Sequence, residues 1–188
     1  CTLSQCSASL SVGVGFALSN SCSVTGCSAY DNGDNGFTLG AGSVATQDSA
    51  YANGGDGFQG SVSVKIVNCN SSVNQGDGIQ ISGDSLAIGN MCDSNGFGAA
   101  DGAGIHCISS DTRIEGNNCT DNDRGIDLDV AGSLVIRNIC SGNATNWDIV
   151  AGNAVAPIVN ASTNAAAILG STYAGSLGST DPNANFSY

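Results

Sequence analysis

The stretches NGDNGF (32–37), NGGDGF (53–58) and NQGDGI (74–79) repeat one phrase every 21 residues. Its opening Asn recurs as Asn32, Asn53, Asn74, Asn95, Asn122 and Asn143. Its late Gly recurs as Gly15, Gly36, Gly57, Gly78, Gly104 and Gly125. The next position is large and apolar in every row: Phe16, Phe37, Phe58, Ile79, Ile105 and Ile126, with Trp147 in the same place one row on. Two residues further stand Leu18, Leu39, Gly60, Ile81, Cys107, Leu128 and Ile149. The step breaks only where NGFGAADGAG (95–104) adds five residues and the segment before Thr112 adds one.

A fixed period of this length marks a solenoid or array. Within a row apolar residues alternate, as in Gly-Ile-Asp-Leu-Asp at 125–129. That is the period of a strand rather than a helix. Each row carries about three such stretches separated by Asn, Gly and Asp, which reads as one coil of a parallel β-helix. A leucine-rich repeat would need a helical half, and a calcium β-roll would repeat every nine residues; neither pattern is written here. The fold class expected is all-β, a right-handed parallel β-helix of about seven to eight coils, since parallel crossovers are right-handed. Gly in its column is expected to supply positive φ at a turn. Asn in its column is expected to accept the left-handed region and to pass amide hydrogen bonds from coil to coil.

The bulk composition narrows the function classes. Four Lys+Arg against sixteen Asp+Glu leave a net charge of −12. Nucleic acid and anionic membranes call for the opposite sign, and no apolar run approaches the ~18 residues of a membrane span. The expectation is an extracellular or cell-surface protein. Nine cysteines cannot all pair within the chain, and none of them shows zinc-type spacing. Cys6, Cys27 and Cys69 share one column with Asp48 in the gap, while Cys92, Cys119 and Cys140 share the column two residues along. Both columns face inward by alternation, so most thiols are expected to be reduced and buried as small hydrophobes. In-register neighbours would have parallel Cβ directions, which argues against a disulfide ladder.

With these columns in view, the chain resembles the right-handed parallel β-helix repeat family, the superfamily of pectate lyases, polygalacturonases and phage tailspikes. The resemblance covers about residues 3–150 and is densest in RIEGNNCTDNDRGIDLDVAGSLVIRNICSGNATNWDIVAGN (113–153), which is similar to secreted bacterial members. It implies the fold and leaves the chemistry open, because the superfamily runs unrelated reactions on one coil. The polygalacturonase motifs NTD, DD, GHG and RIK are absent; Arg113-Ile114-Glu115 carries Glu in place of the last Lys.

The chain's own constellation is the outward column Gln59, Gln80, His106, Asp127 and Asp148, with Asp129 along the same strand as Asp127 and Arg124 at the turn before it. His106, Asp127 and Asp148 are the candidate catalytic set of a polysaccharide lyase or glycoside hydrolase, with His106 as general base and neighbouring carboxylates as an acid–base pair. Asp127, Asp129 and Asp148 are the candidate calcium ligands, and Asp56 with Asp77 a second calcium candidate; no cofactor is otherwise required. On another face Leu86, Ile88, Leu134 and Ile136 form an aliphatic strip interrupted by Arg113 and Glu115. Such strips mark contacts.

Residues 1–153 are expected to form the coils. Residues 154–188 are expected to form a tail packed on the last coil or along the side, with Ala165–Leu169 a short helix. Leu3, Cys6 and Ala8 already stand in the columns of Val24, Cys27 and Ala29. The chain is therefore expected to enter in mid-coil and to expose an edge that pairs with upstream coils of a longer chain or with a second copy. The function expected is a structural or surface-interaction module, with extracellular polysaccharide as the other candidate partner and the enzyme as the alternative.

Overall fold

The computed structural model describes residues 1–96, 102–161 and 177–188. The proposed helix at 165–169 and part of the 95–104 insertion lie outside the described residues. Among those described, every regular element is a strand. The strands form three parallel sheets of eight, nine and seven members. Each coil gives one short strand to each sheet, so the parallel β-helix read from the period is what forms. The register follows the columns: Thr2–Ser4 lies on Ser23–Thr25 in the first sheet, Ser7–Ser9 on Ser28–Tyr30 in the second, and Phe16–Leu18 on Phe37–Leu39 in the third.

Like residues stack inside the coil. Phe16, Phe37 and Phe58 place their rings 5.0 and 4.7 Å apart, close to parallel. Ile79, Ile105 and Ile126 continue that column without exposure, and Leu39, Ile81 and Leu128 line the next. Each such side chain contributes roughly 1.5–3 kcal/mol by leaving water. The first sheet adds Val24, Ile66 and Ile114 alongside the smaller Ala45 and Ala87, and the second adds Ala29 and Ala50.

Polar ladders hold the corners. Asn32 donates its side-chain N–H to Asn53 Oδ1 at 2.9 Å, Asn53 to Asn74 at 2.9 Å, and Asn74 to Asn95 at 2.9 Å. Asn95, Asn122 and Asn143 extend the series. A second ladder runs through Asn90, Asn117, Asn138 and Asn185. Asp48 belongs to the same column as this second ladder and is no bulge. It is buried, and its two carboxylate oxygens accept the backbone N–H groups of Cys27 (2.7 Å) and Thr46 (2.9 Å). Burial raises its pKa, partly offset by those two amides.

The turn chemistry differs from expectation. Among the residues with positive φ are those one position before the rungs of the first ladder: Asp31, Ala52, Val73, Ser94 and Asp121 have φ of 53–60°, and Leu10, before Ser11 in the same column, has 58°. Neither the Asn column nor the Gly15–Gly125 column is left-handed. The Gly column exists because its neighbour is too close. A Cβ on Gly36 would stand 2.8 Å from Asn53 Nδ2 and 2.8 Å from the Gly57 carbonyl. Glycine there makes room for the ladder and the next coil.

The C-terminal segment enters the sheets. Ala154–Val155 pairs with Leu134 and Val135. Asn185–Ser187 lies parallel against Ile139 and Cys140, with Ile158–Asn160 on its other side. Asn185 thereby becomes the next rung above Asn138, at 3.2 Å.

The aliphatic strip is less open than its alternation suggests. Leu86, Ile88 and Leu134 are half-buried, and Ile136 is buried at 9% exposure, so Ile136 offers little contact surface. Glu115 lies between the two pairs and is held by Arg113 (2.6 Å) and Arg137 (2.8 Å), and Arg137 also reaches Asn183.

Seven cysteines are free, six of them buried. Cys1 and Cys22 are bridged, contrary to the argument from parallel Cβ directions. Their Cα atoms lie 4.5 Å apart, within the range that a disulfide accepts.

Candidate functional site

The third sheet carries the chemistry on its outer face. Its strands at Phe58–Gly60, Ile79–Ile81, Ala103–Cys107, Arg124–Leu128 and Thr145–Ile149 are in register. Gln59, Gln80, His106, Asp127 and Asp148 are therefore neighbours in one column, as the period indicates, about 4.8 Å apart from rung to rung. What the column does not reveal are the diagonal contacts.

His106 is clamped across three coils. Its Nδ1 lies 2.9 Å from Asp77 Oδ2, on the preceding coil, and its Nε2 lies 3.2 Å from Asp129 Oδ2, on the following one. Asp127 Oδ2 stands 4.0 Å from Nε2. Asp77 is itself fixed: Oδ1 accepts the Ala103 N–H at 2.6 Å, and Oδ2 also accepts Gln80 Nε2 at 3.2 Å. Burial opposes charge on His106. The hydrogen bond to Asp77, the charge of Asp77, and the added pull of Asp129 and Asp127 outweigh it and push the imidazole up to about 9. With both ring nitrogens facing carboxylates, the raised pKa favours the protonated imidazole, which suits a proton donor better than the general base expected from the sequence.

Arg124 occupies the rest of the face. Nη1 lies 3.1 Å from Asp127 Oδ2, and Nε 3.0 Å from Asp148 Oδ2. Asp127 is buried beneath these cations although it points outward. Burial raises its pKa, against the lowering influence of His106 and Arg124.

This arrangement does not suit the expected calcium site. Calcium takes six to eight oxygens, whereas Asp127 and Asp148 share one guanidinium and Asp129 faces an imidazole. Among the described residues a potential donor set is instead His106, Asp127 and Asp129, with ligand atoms within 4.8 Å of one another. Its nitrogen makes it foreign to calcium. The second candidate pair also has other partners. Asp56 Oδ1 accepts the Asp77 N–H at 2.8 Å, so this column is a further ladder. Burial and the charge of Asp77 push Asp56 up to about 6.

Beside the cluster, towards the N-terminal coils, lies a shallow open depression of about 290 Å³. Thr38, Gln59 and Gln80 line it on one side, and Ser61, Ser82 and Ile108 on the other. Sequence reasoning placed the two glutamines in the column but did not find the depression. It also did not join Asp77 to His106, although an acidic residue one coil back and three positions early is a signal that spacing could have supplied.

No protein-family model and no curated protein sequence matches the chain. Solved structures do. The mannuronan C-5 epimerase AlgE4 A-module of Azotobacter vinelandii aligns with a TM-score of 0.62 at 19% identity, over 82% of this chain and 56% of that one. The AlgE6 A-module of the same organism gives 0.60 at 17% identity, over 83% and 58%. The periplasmic alginate epimerase AlgG gives 0.53 at 13% identity, over 78% and 42%. The chain thus spans just over half the length of the two A-modules. At these identities the likeness is one of fold: this protein is a parallel β-helix of the architecture that those carbohydrate enzymes use.

Proposed function

We propose that the protein is a carbohydrate-related β-helix module, working outside the cytoplasm, that holds a polysaccharide chain along the outer face of its third sheet. The observation carrying this reading is the rung-spaced column Thr38–Gln59–Gln80 opening into the depression beside His106. Amide and hydroxyl groups repeated at about 4.8 Å give a sugar chain laid along the coil axis equivalent hydrogen-bond partners at each rung. The net charge of −12 and the Asp127, Asp129 and Asp148 cluster favour an uncharged, hydroxyl-rich glycan over a polyuronate. The three structural neighbours are named for epimerases of an acidic polysaccharide, which supports the substrate class at the level of carbohydrate.

Titration calorimetry with soluble glucan, mannan, xylan and mannuronan tests it. Binding of an uncharged glycan that weakens at least tenfold in Gln59→Ala or Gln80→Ala is the expected result. Mannuronan binding alone would reverse the charge argument, and no binding to any of the four would refute the reading.

Catalysis by His106, Asp127 and Asp148 is the competing reading. It is favoured by one observation, the raised pKa of buried Asp127 next to a protonated His106, a pairing suited to a proton donor. New reducing ends or unsaturated products that His106→Gln abolishes would establish it.

A further inference from the structure

The coil stacks three buried thiols in register. Cys92, Cys119 and Cys140 are direct partners on adjacent strands of the second sheet, and none has any solvent exposure. The same in-register relation already carries a covalent bond at Cys1–Cys22, where the Cα atoms are 4.5 Å apart. Parallel rungs at about 4.8 Å fall within the range that a disulfide accepts. Cys119 alone among the nine cysteines has an in-register cysteine on both sides.

We propose that Cys92, Cys119 and Cys140 form an internal thiol–disulfide exchange site, in which Cys119 bonds to either neighbour and the third sulfur remains a thiol. The co-reactant is a small-molecule disulfide that meets the chain before the coil closes, since the closed coil exposes none of the three. A Cys92 thiolate attacks that disulfide, forming a mixed disulfide and releasing one small thiolate. The Cys119 thiolate then attacks the Cys92 sulfur. The Cys92–Cys119 bond forms, and the second small thiolate leaves and takes up a proton. Two protein thiols have been oxidised and one small disulfide reduced to two thiols. Attack of Cys140 on the Cys119 sulfur, its proton passing to the departing Cys92 sulfur, next moves the bond one rung and frees Cys92 as a thiol, with no further oxidant.

The central sulfur suits this role. In the closed coil, hydrogen bonds from Cys140 and Cys92 favour a thiolate on Cys119 and lower its pKa, against burial, while Cys92 and Cys140 are pushed up. A stabilised thiolate is the attacking species in exchange.

The chain's four basic residues make the test direct. Trypsin cutting at Lys65, Arg113, Arg124 and Arg137 places Cys92 with Cys69 and Cys107 in 66–113, Cys119 alone in 114–124 and Cys140 alone in 138–188, so the Cys92→Ala variant identifies which cysteine of 66–113 is joined. The full chain is refolded with glutathione disulfide, alkylated in denaturant without reduction, digested and mapped by mass spectrometry. Peptide 114–124 should be found joined to 66–113 or 138–188. Cys92→Ala should move the whole linkage to 138–188, and Cys140→Ala should move it to 66–113. Both variants should fold, because Ala8, Ala29 and Ala50 fill this column on earlier coils. The Cys1–Cys22 bridge in peptide 1–65 reports that oxidation has worked. If that bridge forms while 114–124 stays fully alkylated, the proposal is overturned. If Cys92→Ala leaves 114–124 unlinked, a single fixed bridge replaces the exchange site.

Discussion

Replacing Asn74 by alanine measures what an asparagine ladder contributes. Asn74 has no exposed surface. Its Oδ1 accepts the Asn53 backbone N–H at 3.0 Å and the Asn53 side-chain N–H at 2.9 Å. Its own side-chain nitrogen donates to Asn95 Oδ1 at 2.9 Å and to Ser71 Oγ at 3.0 Å. Truncation leaves the Asn53 backbone N–H buried without an acceptor, and one of its side-chain protons with it. Asn53 Nδ2 keeps only the Ala29 carbonyl, at 3.1 Å. A buried donor left unpaired costs about 1–3 kcal/mol, and the second proton and the vacated volume add about 1 each. The expected loss is about 3–5 kcal/mol. Urea unfolding followed by circular dichroism should show it as a lower midpoint at unchanged slope. Asn143 supplies the control. It is half-buried near the end of the ladder, and it accepts the same two donors from Asn122, at 2.8 and 3.0 Å. Water can replace part of that set, so Asn143→Ala should cost only about 1–2 kcal/mol. A loss below about 1 kcal/mol at Asn74, or a larger loss at Asn143, would refute the reasoning that buried amide satisfaction holds the coils in register.

Other consequences follow from the same geometry. Folded His106 titrates near 9 against about 6.5 unfolded. Its contribution of about 3 kcal/mol is therefore complete below pH ~6.5 and lost as pH rises through about 9. His106→Gln should erase that step from the stability–pH curve, and parallel curves for the two proteins would contradict the clamp. Asp56, raised to about 6 from its unfolded value, should add an earlier fall in stability as pH rises from about 4 to about 6, absent in Asp56→Asn. Val73 holds φ of 60° at 37% exposure, strain that a β-branched residue tolerates poorly. Val73→Asn should stabilise by about 1 kcal/mol in denaturant unfolding. Millimolar calcium should leave the melting temperature unchanged, because Arg124 already pairs with Asp127 and Asp148 and His106 with Asp129; a rise that Asp127→Asn removes would show that the ion displaces them.

A period of 21 residues is long-range information written locally, because parallel rungs bring residue i beside residue i+21. The sequence by itself therefore determined the coil, the strand register, the inward Phe and Ile stacks, the Asn ladder and the outward column from Gln59 to Asp148. Only the tertiary structure decided contacts that leave the columns. The diagonal clamp of His106 by Asp77 and Asp129 depends on which way turn side chains lean across rungs, and periodicity carries no record of that. The Gly column looked like turn chemistry, yet it answers to the approach of the next coil; meanwhile Leu10, Ala52 and Val73 take left-handed turns that their own preferences oppose. There the hydrogen-bonded coils on either side impose the backbone angle, and a penalty of about 1–2 kcal/mol is too small to resist them. The entry of Asn185 into the Asn138 column was equally illegible. It breaks the period, and a strand that arrives from 47 residues away is placed by the unpaired amides it satisfies, not by any spacing in the chain.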